Sequence, residues 1–389
     1  MSKNLFFSLI IFSLPFGSTV LATPSINLFA NDIGKFGIAT KVNEPDSQGV
    51  ITQIIQTELA VLLADKKFSA ISSAVYINNK VIQVHMGKLD DGKKPDSKTL
   101  YEIGSITKTY TGLLLSQAVY DHKLRLDEDI RKFLDGSWPN LVLATNRPIT
   151  LRHLITHTSG LPMNINCNSK AMTIHQQVSC FNSLTKKDFF DRLATVRLKN
   201  ATGKDYQYSN AGVQLVGYIL EKVYNRSFEV LLKKYVFSRS REQITFANVP
   251  INEMARVAVG KDSLGHTMPL ENGGYLYAGG LKASTSSMAM YMKMYLTNPD
   301  PVIRQTQQLL AGNEQYGRAY AWNTFDYNTE SRMLYHNGGT FGTSSWLAIY
   351  PKKQCGVFLI TNAMTNDSQR RLNEVSNRII DKLKSAHLL

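Results

Sequence analysis

Apolar residues between positions 50 and 66 recur at helical spacing. Ile51, Ile54, Ile55, Leu59, Leu62 and Leu63 fall on one broad stripe, which predicts an amphipathic helix. The period then changes. Ile71 to Ile77 and Val81 to Met86 flank Asn78-Asn79-Lys80, the pattern of a β-hairpin. A second helix is predicted from Ser105 through Leu113, Leu114, Leu115 and Ala118 to about His122. From about residue 128 to 240 helix and loop alternate, with helices expected over Tyr208 to Tyr224 and Phe228 to Tyr235. Strand patterns return at Met333 to His336, Ser344 to Tyr350 and Gly356 to Thr361, with a turn at Pro351-Lys352-Lys353-Gln354 between the last two. A final helix carries Leu372, Val375, Ile379, Ile380 and Leu383 on one side.

Strands at both ends around a helical middle predict one antiparallel sheet of the α+β class, in which the N-terminal hairpin pairs with the C-terminal strands. The expected division is a sheet subdomain over about 50–100 and 245–389 and a helical subdomain over about 101–244. A cleft between them is where a site belongs. No internal repeat or low-complexity tract interrupts this plan.

The 389 residues are 43% hydrophobic and 19% charged, ample for a large buried core. The N-terminus reads as an export leader. Lys3 is the only charge before the apolar run Leu5 to Phe16, and Val20-Leu21-Ala22 offers a small-residue cleavage site after Ala22. That run is shorter than the roughly 20 residues a spanning helix needs, so the expectation is a secreted or periplasmic chain without stable membrane insertion. Residues 23 to 47 are irregular and predict an extended arm before a single catalytic domain over 23–389. Loss of Lys3 with the leader lowers the formal charge of +14 by one, and the remaining cations are scattered, which argues against a nucleic-acid partner. Cys167 and Cys180 flank a polar segment and are placed to close a short disulfide loop, whereas Cys355 lies in an apolar run and reads as a buried free thiol.

Against this frame, three short motifs stand out. Glu102-Ile103-Gly104-Ser105-Ile106-Thr107-Lys108 sits at a loop-to-helix junction. A serine there aims its hydroxyl and amide at a cleft, and a lysine three residues on shares its helical face. If desolvated, Lys108 can accept the Ser105 proton. The second motif is Tyr208-Ser209-Asn210: a phenol beside an ammonium can be depressed toward phenolate and relay a proton, while Asn210 can orient Lys108 or bind a substrate amide. The third is Tyr335-His336-Asn337-Gly338-Gly339-Thr340 at a strand end, where glycines admit a substrate backbone and the Gly339 amide can complete an oxyanion hole with that of Ser105.

Decoys of the same spacing have local explanations. In Ser183-Leu184-Thr185-Lys186, Thr185 and Asp188 form a capping box, and Tyr76-Ile77-Asn78 is a strand end entering a turn. His153 and His157 lie four apart without the Glu or Cys companions of a zinc site, so no metal and no organic cofactor is expected. Met288, Met290, Met292 and Met294 read as core packing.

The three motifs, in this order, resemble those of the serine β-lactamase and penicillin-binding protein superfamily, most of all its class C β-lactamase and DD-carboxypeptidase branch, whose second motif is Tyr-x-Asn. Leu126-Asp127-Glu128-Asp129, Ile149-Thr150-Leu151-Arg152-His153-Leu154, His157-Thr158-Ser159-Gly160-Leu161-Pro162, Gly279-Gly280-Leu281-Lys282-Ala283-Ser284-Thr285 and Tyr316-Gly317 resemble it as well, so the likeness covers about residues 50 to 385. It implies an antiparallel sheet with flanking helices and an all-helical subdomain. It implies Ser105 as nucleophile, Lys108 and Tyr208 as proton carriers, Asn210, His336, Gly338 and Gly339 as substrate-binding residues, and an acyl-enzyme. The third motif departs from the Lys-Thr-Gly of typical β-lactamases, since an imidazole at His336 holds a carboxylate less firmly than an ammonium. The expected substrate is a D-Ala-D-Ala-type cell-wall peptide. A β-lactam or an ester are the close alternatives, and a non-catalytic muropeptide or β-lactam sensor is the reading from a different class.

Overall fold

The computed structural model describes residues 47–165, 172–198, 203–326 and 332–389. The segments expected as leader and arm, through residue 46, and Cys167 lie outside them. The first helix, α1 (Ser47–Leu63), buries Ile51, Ile55, Leu59 and Leu62. It packs beside the C-terminal helix Ser368–Ser385, whose Leu372, Val375, Ile379, Ile380 and Leu383 are also buried. Both belong to one apolar cluster with Val75, Val357 and Leu359 of the sheet, so two amphipathic stripes cover one sheet face.

The strands in chain order are β1 (Ala70–Ile77), β2 (Lys80–Gly87), β3 (Tyr101–Glu102), β4 (Thr245–Phe246), β5 (Gly260–Lys261) and β6 (Thr267–Met268). There follow β7 (Lys282–Ala283), β8 (Ala311–Gly312), β9 (Tyr316–Arg318), β10 (Asn323–Asp326), β11 (Arg332–Gly339), β12 (Ser344–Tyr350) and β13 (Cys355–Thr361). Eight of them form one sheet in the order β2-β1-β13-β12-β11-β10-β9-β8. The N-terminal hairpin therefore does join the C-terminal strands: β1 lies antiparallel to β13 with Ile71 opposite Thr361. Asn78 (φ 51) and Asn79 (φ 59) take the left-handed turn that matches the twist of the hairpin, and the Tyr76 hydroxyl donates to Asn79 Oδ1 at 3.0 Å. Tyr76 is thus a hairpin residue.

The opposite face carries the larger core. The 3₁₀ turn Gly104–Ile106 leads into α2 (Thr107–Tyr120), which packs with the helix Asn210–Tyr224, the helix Thr285–Thr297 and the sheet residues Leu334, Leu347 and Phe358. Met288, Met292 and Met294 are buried there, as expected of core packing. A small sheet, β3-β7-β4, stitches the start of this region to its end.

Two helix boundaries differ from the periodicity. Tyr208 does not open its helix. Ser209 is the N-cap, its hydroxyl accepting the Gly212 N–H, and this leaves Tyr208 extended and free to project. The stretch expected as one helix from Phe228 to Tyr235 is a short α-helix to Leu232, followed by a π turn over Lys233–Phe237. Thr185 does cap its helix with Asp188 as the sequence predicts. Cys180 is disulfide-bonded, and Cys355 is a buried free thiol that burial pushes up to about 12.

Candidate active site

Gly104 has a φ of +52°, and a Cβ there would lie 2.6 Å from the Gly339 nitrogen. The glycine lets the turn before α2 press against the end of β11. Gly338 does the same from the other side, since its Cβ would lie 2.1 Å from the Ile103 carbonyl oxygen. Here the sequence reading needs correcting. The close approach that Gly338 permits is to the chain's own turn, not to a substrate backbone, because Ile103 O and Ser345 Oγ already fill the space.

Ser105 stands in that turn. Lys108 Nζ lies 2.8 Å from Ser105 Oγ, and it donates to the Ala278 carbonyl at 2.5 Å. The lysine is fully buried. Burial holds its pKa well below the ordinary value, against the pull of the Glu271 charge. A lysine so shifted gives up its proton more easily than one in water, which suits a base. The Tyr208 hydroxyl donates to Ser105 Oγ at 2.7 Å. Burial raises the Tyr208 pKa, opposed by that bond. The expected drift toward phenolate is therefore reversed. Lys108 Nζ sits 4.9 Å from the Tyr208 ring centroid, over its face.

Asn210, the first residue of its helix, donates from Nδ2 to Asn164 Oδ1 at 3.0 Å. The hydrogen bond that orients Lys108 comes from the Ala278 carbonyl rather than from Asn210. His336 is buried, and its Nδ1–H donates to the Asn337 carbonyl at 2.7 Å. Burial, and then the nearby Lys108 charge, push His336 down to about 3. It is a neutral imidazole at pH 7, so the third motif carries no cation where a Lys would supply one. Gly339 ends β11 opposite Ser344, its backbone against Gly104.

Several neighbours escaped the sequence reading. His157 is buried with its ring 4.5 Å from that of Tyr208, and its Nδ1 accepts the Ser209 N–H at 3.2 Å, which braces the tyrosine loop. Its companion His153 serves instead at a helix cap, where Nδ1 accepts the Thr150 N–H. Arg318 lies 4.2 Å over the Tyr206 ring, with a buried Nε that has no hydrogen-bond partner. Phe181, Tyr275, Gly274 and Glu271 line a shallow recess. Phe341 closes on the Phe181 ring at 5.7 Å.

"Protein flp" of Staphylococcus aureus strain N315 is 24% identical over 353 residues, covering 86% of this chain and 67% of the relative. A "Beta-lactamase" of Pseudomonas fluorescens is 24% identical over 361 residues, covering 82% of this chain and 96% of the relative. Among solved structures, the β-lactamase/D-alanine carboxypeptidase of Yersinia pestis, complexed with citrate, superposes with a TM-score of 0.75 at 18% identity, over 87% of this chain and 99% of that one. It has the same fold. The sequence profile described as "Beta-lactamase" matches residues 51–380, from the first helix to the last, and on that match the chain belongs to the beta-lactamase family.

Proposed function

We propose that the protein is an exported serine hydrolase working through an acyl-Ser105 intermediate on D-Ala-D-Ala-type cell-wall peptides. The observation that carries this reading is the convergence on Ser105 Oγ of a buried, easily deprotonated ammonium at 2.8 Å and a phenol at 2.7 Å. Neutral Lys108 takes the Ser105 proton as Oγ attacks the carbonyl carbon. The Ser105 and Gly339 amides receive the oxyanion, a contribution worth on the order of 10² to 10³ per donor. Tyr208 gives its proton to the departing amine and recovers one through Lys108. Water then attacks the ester with the roles reversed. Asn210 offers its amide to the substrate peptide.

One observation favours a second reading. Neutral His336 gives little hold on a substrate carboxylate, which suits esters that have none. Intact-protein mass spectrometry with a penicillin over time, run beside D-Ala release from a D-Ala-D-Ala peptide and short-chain ester cleavage, separates the two. A lasting adduct on Ser105 with D-Ala release supports the carboxypeptidase. Rapid ester turnover with the D-Ala peptide untouched defeats it in favour of the esterase. An adduct that clears as penicillin is consumed indicates a β-lactamase.

A further inference from the structure

Three backbone segments must stay in register for Ser105 to react. They are its own turn, the segment that presents the Ala278 carbonyl to Lys108, and the β11 end that presents the Gly339 amide. Two buried carboxyl groups and one buried ammonium tie them together. Glu102 accepts the Glu271 N–H at 2.6 Å and the Thr340 hydroxyl at 3.0 Å, and its own carbonyl accepts the Thr343 hydroxyl at 2.7 Å. Glu271 accepts the Phe341 N–H at 3.0 Å. Lys282 lies opposite Glu102 in the β3–β7 pair, and its ammonium donates to the carbonyls of Glu271 and Gly280 and to Asn272 Oδ1. Each carboxyl thus grips the strand just past Gly339 from a different segment, and the lysine locks the loop leading to Ala278.

The charges in this cluster do not balance. Glu102 from β3 and Glu271 from its loop both feel the charge of Lys282 from β7, and Glu271 also feels that of Lys108 of α2, whose pKa burial lowers. Two buried carboxylates facing one ammonium do not both ionise without a large cost. Burial, then the Glu102 charge, push Glu271 up to about 8, while burial raises Glu102 against the Glu271 N–H and Lys282. The proton belongs to the pair.

We propose that Glu102 and Glu271 are positioning residues that share one proton and clamp the oxyanion strand to the Ser105 turn, and that loss of this proton in mild alkali slackens the clamp and lowers turnover. The inference rests on Ser105 being the nucleophile. Its test compares the full-length protein with Glu271→Gln and Glu102→Gln. Each variant leaves one carboxyl to one ammonium and keeps an oxygen acceptor in place.

In the wild type, kcat for p-nitrophenyl butyrate should fall above about pH 8 with KM little changed. In either variant that alkaline limb should disappear, whatever the level of kcat at neutral pH. Infrared difference spectra at pH 7 between the wild type and Glu271→Gln, in which the separate buried carboxyl of Glu242 (raised to about 7 by burial) cancels, should show one protonated-carboxyl band lost in the variant. An alkaline limb unchanged in both variants, or no protonated-carboxyl band lost in that difference, overturns the proposal. The infrared result needs no turnover, so it stands even if Glu102→Gln folds poorly. Absence of any Ser105 adduct from the ester or a fluorescent penicillin would instead remove the nucleophile reading. A carboxyl band lost in the difference in that case would show the shared proton without its role.

Discussion

The sheet buries acidic groups on both faces, and the two faces treat them oppositely. On the outer face Glu58 of α1 is almost fully covered, yet Arg378 and Lys382 of the C-terminal helix each reach it at 2.6 Å. Burial pushes its pKa up, but the hydrogen bonds and charges of those cations outweigh burial, and it ends below its usual range. On the cleft face Glu102 and Glu271 share one lysine and are raised instead. What decides the sign is how deeply each carboxyl is buried, set against how many cations reach it. The outer face uses charge to fasten two helices. The cleft face holds carboxyls that favour keeping a proton, and raised pKa values of that kind commonly mark sites that do chemistry.

The strongest way to break this contrast is to remove the chemistry and leave the scaffold. Ser105→Ala should abolish covalent labelling and cut ester turnover by at least about 10³-fold, with little change in the melting temperature. A labelled alanine variant would refute Ser105 as nucleophile. Tyr208→Phe comes next, with turnover down by roughly 10² to 10⁴ in steady-state assays if the phenol handles the leaving-group proton. Gly338→Ala should couple the faces. Its Cβ would meet the Ile103 carbonyl oxygen at 2.1 Å, so turnover should drop steeply and stability by about 1–3 kcal/mol in a denaturant melt.

The pH dependence of unfolding sharpens the comparison because the two faces give opposite slopes. Glu58 has a lowered folded pKa, so its stabilisation is full above the ordinary 4.5 and is lost as pH falls through the folded value. Glu271 has a raised one, so its stabilisation is full below 4.5 and is lost as pH rises toward about 8. Glu58→Gln should flatten the acid limb of stability and leave turnover alone, and Glu271→Gln should flatten the alkaline limb. Identical profiles for the two would show that the faces do not differ. The smallest effect is expected from Tyr76→Phe, which removes one hydroxyl bond to Asn79 and should cost about 0.5–1.5 kcal/mol without touching activity.

These pairs also mark what a sequence can and does not disclose. Ser105 and Lys108 are legible because they are three residues apart on one local turn, and the hairpin at Asn78-Asn79 because turn chemistry is local. The acceptor that aims Lys108 is a backbone carbonyl 170 positions away, and any residue could supply it. Glu102, on a strand only two residues long, and Glu271, in a loop, meet across 169 positions with no period to announce either. The helix expected from Tyr208 begins two residues later, at Asn210, because the Ser209 side chain caps it there. The drift expected of the Tyr208 phenol had the wrong sign because burial is not visible in Tyr-x-Asn.

The seam between β1 and β13 sets the order in which this chain can assemble. The Thr361 hydroxyl bonds to the Ala70 carbonyl across 291 positions, and a loop of that length must close before the pairing yields any return. The hairpin made first during synthesis waits for a strand made almost last, while α2 and its neighbours can pack locally in the interval. A chain cut short before Cys355 lacks β13 and leaves β1 with an open edge, the kind of surface that recruits other chains. The last thirty-five residues, remote from Ser105 in sequence, thus govern whether the nascent protein closes or aggregates.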